Sequence, residues 1–584
     1  MTTIVNTKLG ETRGKRRIYL DGAKLAREGY QPGDRYDLAL EDARVVIKLH
    51  DDGKYMVSKR QRNGTLYPVI DITRAELAEL FDGVAMLRVL IAKGKIVVTA
   101  HHQEGKVAER VERLLSKIRT GEPLRVASLF HGGGVLDAGL HSGLDRVGVA
   151  SKIGVAVEIE STYLNASLEN NPELWDDTSI PIESPVQHVD LGRNPPQMDV
   201  LCGGVPCTGA SRSGRSKNKL EHAEDHHAAG AMFFSFLEFI KVLNPAVVIG
   251  ENVPEYQSSA SMSVIRSVLN DLGYELQERV LNGNEFGVLE DRNRLCFVAI
   301  SKGLEGVFDL DAVTPHKTKE TCLYDILEPF ERIAEDRWKS FDYLADKATR
   351  DAAAGKGFKR QLLTGAEASC GTVGRGYAKA RSTEPFLVHP HDSSLSRLFI
   401  PCEHARLKGV PETLIRGLSD TRAHEVLGQS VCFPKFEAVG MALGRSLRSA
   451  AGLPQDHLME VEVQVLDPEN DGTIGGEDLD WFPATLDVLS GRLALVGEGR
   501  RQGWPMAVSQ HGVEIRLQGQ IIALPVISGG PEPECPGASV GVYDADHIRE
   551  HGESVITDLA SVPARHVLGK GASSIAGQAL SCAA

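Results

Sequence analysis

The sequence predicts a doubly wound, mostly parallel α/β sheet with an inserted region and small β-rich domains at both ends. Three observations carry this. Short apolar runs at 125–130, 153–157, 198–202, 246–250 and 295–300 alternate with helix-patterned segments, which is the rhythm of βα units. The first run enters His131-Gly132-Gly133-Gly134 and then a helical pattern, so strand, glycine turn and helix follow in one unit. The rhythm is lost from Ser301 to about Pro390 and then resumes.

The bulk numbers set the frame. A chain of 584 residues exceeds one core, so three or four domains are expected. Its 42% hydrophobic and 25% charged content is ordinary for a soluble globular protein. No apolar stretch reaches membrane-span length and the start lacks a signal-peptide core, which predicts a cytoplasmic protein with no membrane partner. Nine cysteines with no CxxC pair argue against a disulfide framework and a zinc ribbon, and no metal site is predicted. The net charge of −14 argues against a chain-wide nucleic-acid footprint and leaves room for local basic patches.

Taken in order, residues 1–16 read as a flexible basic arm, with Lys8, Arg13, Lys15 and Arg16. Residues 17–101 read as a small β-rich module with a helix over Ile70–Leu80, Thr73 as its N-cap and Glu76 completing a capping box. The turn Gln31-Pro32-Gly33-Asp34 between short strands resembles swapped-hairpin DNA-binding modules of the AbrB/SymE type; a dimerisation domain is the equal alternative. Residues 102–123 are a helical connector, 124–300 the first part of the α/β domain, 301–390 the insertion and 391–453 its closing part. Residues 454–566 read as a β-rich domain of undisclosed role and 567–584 as a frayed tail. Asp467–Asp478 imitates a calcium loop, but its upstream flank reads as a strand rather than the helix such a loop needs.

Candidate site residues fall at strand ends. Glu158 closes the second strand, where an acid can accept from ribose hydroxyls or, equally, mark a solvated strand end. A third strand candidate ends at Asp190. Leu201-Cys202-Gly203-Gly204-Val205-Pro206-Cys207 leaves a thiol on a turn, followed by a basic loop with Arg212, Arg215 and Lys217. Alone, Cys207 reads more readily as a buried structural cysteine than as a nucleophile. The fifth strand ends in Glu251-Asn252-Val253, and Arg292 and Arg294 precede the next. Between 355 and 382, Lys356, Lys359, Arg360, Arg375, Lys379 and Arg381 face a single acid, Glu367, with Phe358 and Tyr377 interleaved. That excess suits phosphate contacts and base reading, or else a solvated loop.

In this order the motifs resemble the DNA (cytosine-5) methyltransferase family over roughly residues 124–451. Phe130-His131-Gly132-Gly133-Gly134 with Leu136-Asp137-Ala138-Gly139-Leu140 is similar to its first motif, and Gly203 to Cys207 with Ser211 to its nucleophile loop. Glu251-Asn252-Val253 and Arg292-x-Arg294 match two more; Arg397, Glu403, Arg406-Leu407 and Pro411, then Gly428-Gln429-Ser430-Val431, resemble the last two. The resemblance implies a Rossmann-like methyltransferase sheet in which 301–390 recognises the target. It implies S-adenosyl-L-methionine as cofactor, lined by Phe130, Gly132, Gly134, Leu136, Glu158, Ile159, Asp190, Pro206 and Ser430. Cys207 would add to C6 of a flipped cytosine, Glu251 would hold the N3/N4 edge and Arg294 the O2 edge, with Arg292 supporting it or a phosphate. Double-stranded DNA is the implied partner, with Arg212, Arg215, Lys217 and the 355–382 cations on it. A cognate restriction endonuclease and self-association through the N-terminal module are further partners open to it.

Six positions depart from the family pattern: Val135, Val205, Thr208, Ala210, Glu290 and Gln429. They leave the nucleophile, the acid and both arginines intact. The alternatives are a tRNA cytosine-5 methyltransferase using the same chemistry, and a catalytically lapsed DNA-binding protein on the same scaffold. A zinc deaminase is excluded, because His222-Ala223-Glu224 follows Pro206-Cys207 in the wrong order and Ala210 stands where its second cysteine would be.

Overall fold

The computed structural model describes residues 1–41, 43–192, 195–206, 231–355 and 360–453, together with the backbone of seven strands between 458 and 543. Two compact units divide the chain, Met1–Val111 and Glu112–Ala584.

In the first unit the expected flexible arm is structured. Thr2–Lys8 is a strand paired antiparallel with Met86–Ala92, and Gly10–Thr12 forms a hairpin with Lys15–Asp21. The reason is visible in the β-branched run Thr2-Thr3-Ile4-Val5, which suits a pleated edge, and in the ladder that takes up its backbone groups. The helix expected over Ile70–Leu80 is also corrected. Ile70 and Ile72 are buried on strand Thr65–Thr73, and only Glu76–Leu80 is helical, with Ala75 rather than Thr73 at its N-cap. Alternation with period two, shared with Ile18 and Leu20 on the paired strand, overrides the capping signal.

The second unit starts at Glu112, within helix α1 (His102–Thr120), and builds a seven-stranded sheet: β1 (Leu124–Leu129), β2 (Ser151–Glu158), β3 (Ile180–Glu183), β4 (Val200–Gly204), β5 (Val247–Asn252), β6 (Tyr274–Asn282) and β7 (Asn293–Ser301). The order is β3-β2-β1-β4-β5-β7-β6. The first five strands are parallel; β7 runs antiparallel between β5 and β6. β1 and β4 lie side by side although β2 and β3 come between them in the chain, so the order reverses there. Open α/β sheets bind ligands at the strand C-terminal ends at such a point. The third strand lies earlier than expected, and Val186–His188 is a single 3-10 turn.

Helices α2 (Val135–Asp145), α3 (Ser161–Asn170), α4 (Met232–Leu243) and α5 (Ala260–Asp271) fill the crossovers. Phe236, Phe239, Ile240 and Leu243 of α4 pack with Leu201, Val248 and Phe297 in a fully apolar core. Asp199, buried just before β4, ties α1 to the sheet through Arg113 at 3.0 Å and Lys117 at 2.5 Å. After the insertion come α7 (Pro401–Leu407), α8 (Asp420–Gln429) and α9 (Phe433–Ala450), with α6 (Asp342–Ala353) inside the insertion.

α9 lies against α2 through glycines at four-residue spacing on both helices. A Cβ on Gly143 would stand 2.0 Å from the Glu437 carbonyl oxygen, and one on Gly440 would stand 2.5 Å from that of Leu140. The closing helix is thereby docked on the helix that leaves the glycine turn. Glu437 locks the crossing by accepting from Ser142 Oγ at 2.8 Å, Arg146 Nε at 2.6 Å and His316 Nε2 at 2.6 Å. Gly143→Ala is expected to force the helices apart and to cost close to ~3 kcal/mol, the upper part of the overpacking range. A urea midpoint unchanged from the parent would contradict the close crossing.

Between 458 and 543 seven strands pair antiparallel into one sheet, three more segments than the four expected there. The calcium-loop imitation and the tail 567–584 lie outside the described residues. Among the described residues, no helix is long and apolar enough to cross a membrane.

Candidate active site

The site is assembled at the C-terminal ends of β1, β2, β4 and β5, with the start of β7 beside them. β1 ends at Leu129, and Phe130 then takes a left-handed backbone conformation, φ 58°, rare for a bulky residue. Gly132 and Gly134 follow at φ 60° and 74°. The turn is crowded as well as left-handed: a Cβ on Gly133 would stand 2.6 Å from Val426 and one on Gly134 2.5 Å from Ser167 Oγ. Gly134 then begins α2 with no side-chain cap, which leaves the helix N-terminus carrying unsatisfied N–H groups.

Glu158, at the end of β2, folds its carboxylate back over this turn. Oε2 accepts from Gly132 N–H at 2.7 Å, and Oε1 accepts from Ile159 and Glu160 N–H at 3.0 and 2.9 Å. Beside it the Ile159 side chain is 61% exposed, a large apolar group left in solvent next to a fixed acid. Leu136 is half-buried in the first turn of α2, and Asp190 is exposed and accepts from Gly192 N–H at 2.8 Å. The last motif arrives from α8: Gln429 Nε2 would lie 3.5 Å from a Cβ on Gly132, while Ser430 Oγ donates to Leu427 O at 2.8 Å. A fixed carboxylate and an exposed apolar side chain beside a left-handed glycine turn are chemistry that fits an adenosyl-type group.

On the other side of the switch point, β4 delivers Gly204, Val205 and Pro206. Cys207 itself, Thr208, Ala210 and the loop cations Arg212, Arg215 and Lys217 lie outside the described residues. Glu251 stands where β5 ends, and its Oε2 would be 3.2 Å from a Cβ on Gly204. Arg294, at the start of β7, places Nε 3.0 Å from Glu251 Oε1. The expected acid and one expected arginine therefore meet beside the strand that leads to Cys207. Asn252, not predicted as a site residue, is buried and donates from Nδ2 to Val205 O at 3.0 Å. It ties the end of β5 to the chain just before Cys207. Its signal was its place in Glu251-Asn252-Val253.

Arg292 does not join them. Its side chain is only 3% exposed; it donates to Gly428 O at 3.2 Å and Val373 O at 3.4 Å, and lies 3.5 Å from Glu290. It occupies the break between Glu290–Asp291 and Asn293–Ser301, so pleat alternation does not carry it to the face of Arg294. It joins the insertion to the last motif and has no surface left for a base or a phosphate. The departure at Glu290 is explained by the same cluster. Glu290 is fully buried, accepting from Lys408 Nζ at 2.6 Å and Val373 N–H at 2.7 Å. Burial alone would raise its carboxyl, but the charges of Lys408 and Arg292 outweigh that and hold it at about 2. Burial, then Arg292, pushes the Lys408 ammonium down to about 8, against the pull of Glu290. At neutral pH the pair is charged.

The insertion corrects one predicted contact. Tyr377 is fully buried, donating to Pro385 O at 2.8 Å and accepting from Phe399 N–H at 2.9 Å, so its ring cannot stack on a base. Leu387 and Phe399 pack against it in one apolar cluster. Arg375 is exposed and reaches Tyr163 OH of α3 at 3.1 Å. Arg360 is half-buried with its guanidinium 5.3 Å over the Phe386 ring. Lys379 and Arg381 are exposed; Lys356, Lys359 and Phe358 lie outside the described residues. Arg397 and Glu403 form a buried bidentate pair at 2.6 and 2.8 Å, which is a structural role.

Beside Tyr377 lie two buried imidazoles, His404 and His424, with Nδ1 to Nδ1 3.0 Å. Burial depresses both, His424 to about 4 and His404 well below its ordinary value. Unfolded histidines titrate near 6.5, so below that pH the unfolded chain binds protons that the fold refuses, and stability falls as pH drops. Each histidine is expected to cost about 2 kcal/mol between pH 6.5 and 5. Chemical denaturation at the two pH values checks this; replacing both with phenylalanine should flatten the dependence.

Comparison with known proteins decides the family. Residues 124–445 match the model of the C-5 cytosine-specific DNA methylase. The chain belongs to that family. It is 29% identical over 262 residues to type II methyltransferase M.SsoII of Shigella sonnei, covering 44% of this chain and 66% of the relative. It is 29% identical over 252 residues to M1.ScrFI of Lactococcus lactis, covering 42% and 61%, and 26% identical over 268 residues to M.HhaI of Haemophilus parahaemolyticus, covering 43% and 77%. The chain thus spans just under two thirds of the length of the first two relatives, and its own first 123 residues lie outside the family match.

Proposed function

We propose that this C5-methylase chain transfers a methyl group from S-adenosyl-L-methionine to C5 of a cytosine in double-stranded DNA. The observation that carries the reading is the Glu251–Arg294 pair at 3.0 Å beside Gly204, on the strand that runs to Cys207. Cytosine C5 is a poor nucleophile. A Cys207 thiolate bonding to C6 pushes the ring electrons toward C5 and makes it enamine-like. Glu251 holds the N3/N4 edge and shares a proton with N3 as negative charge develops there. Arg294 holds O2 and keeps the Glu251 carboxylate in place. Asn252 fixes the backbone that presents Cys207. Once C5 carries the methyl group, loss of the C5 proton to a base would return the electrons to the ring and break the Cys207–C6 bond, releasing the thiolate. These atoms are inaccessible in a stacked duplex, so the base must leave the helix to reach them.

Glu158, Ile159, Asp190 and the turn Gly132–Gly134 would hold the cofactor, which when bound supplies the electrophilic methyl group. Exposed Arg375, Lys379 and Arg381 are the described cations suited to phosphates. The deciding test is a covalent complex with duplex DNA carrying 5-fluorocytosine, since fluorine at C5 blocks the final elimination. A denaturant-stable adduct is expected from the parent and none from Cys207→Ala. An adduct formed as readily by Cys207→Ala, or formed on tRNA in place of duplex DNA, overturns the assignment.

A further inference from the structure

The glycine turn rests on a buried polar strut that the motif reading leaves unused. His131 Nδ1 lies 2.9 Å from Asp137 Oδ2 and 2.9 Å from Ser128 Oγ, and its Nε2 lies 2.8 Å from Ser167 Oγ. The ring is fully buried, with Trp175 edge-on at 5.4 Å. Asp137 Oδ2 also accepts from Ser128 Oγ at 2.9 Å, and its Oδ1 accepts from Cys202 Sγ at 3.1 Å. Burial, then Asp137, pushes the Cys202 thiol up, so it stays protonated and donates.

The partners fix the tautomer. Ser128 gives its one proton to Asp137 Oδ2, so its oxygen accepts from His131 Nδ1, which carries the ring proton and reaches the carboxylate through Ser128. Asn171 Nδ2 donates to Ser167 Oγ at 3.4 Å, which leaves the Ser167 hydroxyl proton for His131 Nε2. Every polar atom of the ring then has a partner, and removing one leaves others buried and unpaired. The strut touches four elements: the end of β1, the first turn of α2, α3, and β4, the strand that runs to Cys207. Its ring also sits directly beneath Gly134, whose added Cβ would stand 3.0 Å from Nε2.

We infer that His131 is a positioning residue that holds the Gly132–Gly134 turn in its cofactor-ready form, acting through Asp137 and Ser167 without itself touching the cofactor. This rests on the methyltransferase reading above. Without the strut, the left-handed turn loses its support from below and Gly132 N–H is no longer fixed beneath Glu158. The loss falls on cofactor affinity, while Glu251 and Arg294 at β5 and β7 are untouched.

The full chain is titrated calorimetrically with S-adenosyl-L-methionine, and KM for that cofactor is measured apart from kcat on duplex DNA. His131→Ala should weaken cofactor binding at least tenfold with kcat at saturating cofactor changed less than threefold. His131→Asn, which keeps an N–H near the Nδ1 position, should recover most of the affinity. A merely structural histidine would lower stability and kcat together, with no rescue by asparagine. Parent-like cofactor affinity in a folded His131→Ala protein overturns the inference. Absence of cofactor binding by the parent overturns the underlying reading instead.

Discussion

Lys408→Met is expected to destabilise the protein by about 3–5 kcal/mol, the usual cost of removing one partner from a buried ion pair. Lys408 and Glu290 are both fully buried and 2.6 Å apart, so truncating the lysine leaves a carboxylate with Arg292 at 3.5 Å as its remaining counter-charge. Glu290→Gln alone should also destabilise, because Lys408 and Arg292 would then share a buried space with no anion. The double variant Glu290→Gln with Lys408→Met removes both charges, keeps a side chain able to accept from Val373 N–H, and should recover most of the loss. The check is a double-mutant cycle by urea denaturation, where non-additivity of several kcal/mol is expected. Additive losses would mean that the pair does not act as a unit. The cluster also gives Glu290, one of the departures from the family pattern, a place: a buried lysine answers the acid.

The second large effect is catalytic. Glu251→Gln is expected to lower kcat by about 10²–10⁴-fold, the range for a positioned proton-sharing group. Arg294→Ala should fall in the same range, since it removes the partner of Glu251 and the donor assigned to O2. Arg292→Ala should behave differently. Its side chain is tied to Val373 O and Gly428 O, so its loss is expected to appear in thermal stability and leave the rate of the folded fraction within a few-fold of the parent. Steady-state rates on duplex DNA, normalised to folded protein, separate the two arginines. Equal rate losses from both would return Arg292 to the site and contradict its burial.

Much of this was legible along the chain because the chemistry is carried by strand ends. Apolar runs closed by Gly132, Glu158, Gly204 and Glu251, and one opened by Arg294, could be placed from composition and breaker residues alone. The failures have a common cause. Arg292 and Arg294 are two residues apart and look equivalent until a break in the strand sends one inward. Tyr377 sits among cations, yet Phe399, His404 and His424 close around it from later in the chain. The start of the chain looks like an arm because the strand that pairs with Thr2–Lys8, Met86–Ala92, lies far along the sequence.

By itself, then, the sequence determined the βα rhythm, the inserted region, the residue types of the site and their order along the chain. These are local properties, set by periodicity, turn chemistry and neighbouring residues. Only the tertiary structure decided which side chains meet. It brought Glu251 to Arg294, sent Arg292 to the insertion, paired Glu290 with Lys408, and set a histidine strut beneath the glycine turn. Those are contacts between segments tens to more than a hundred residues apart, and the free energy that fixes them, burial of charge and removal of water, exists only once the sheet has closed.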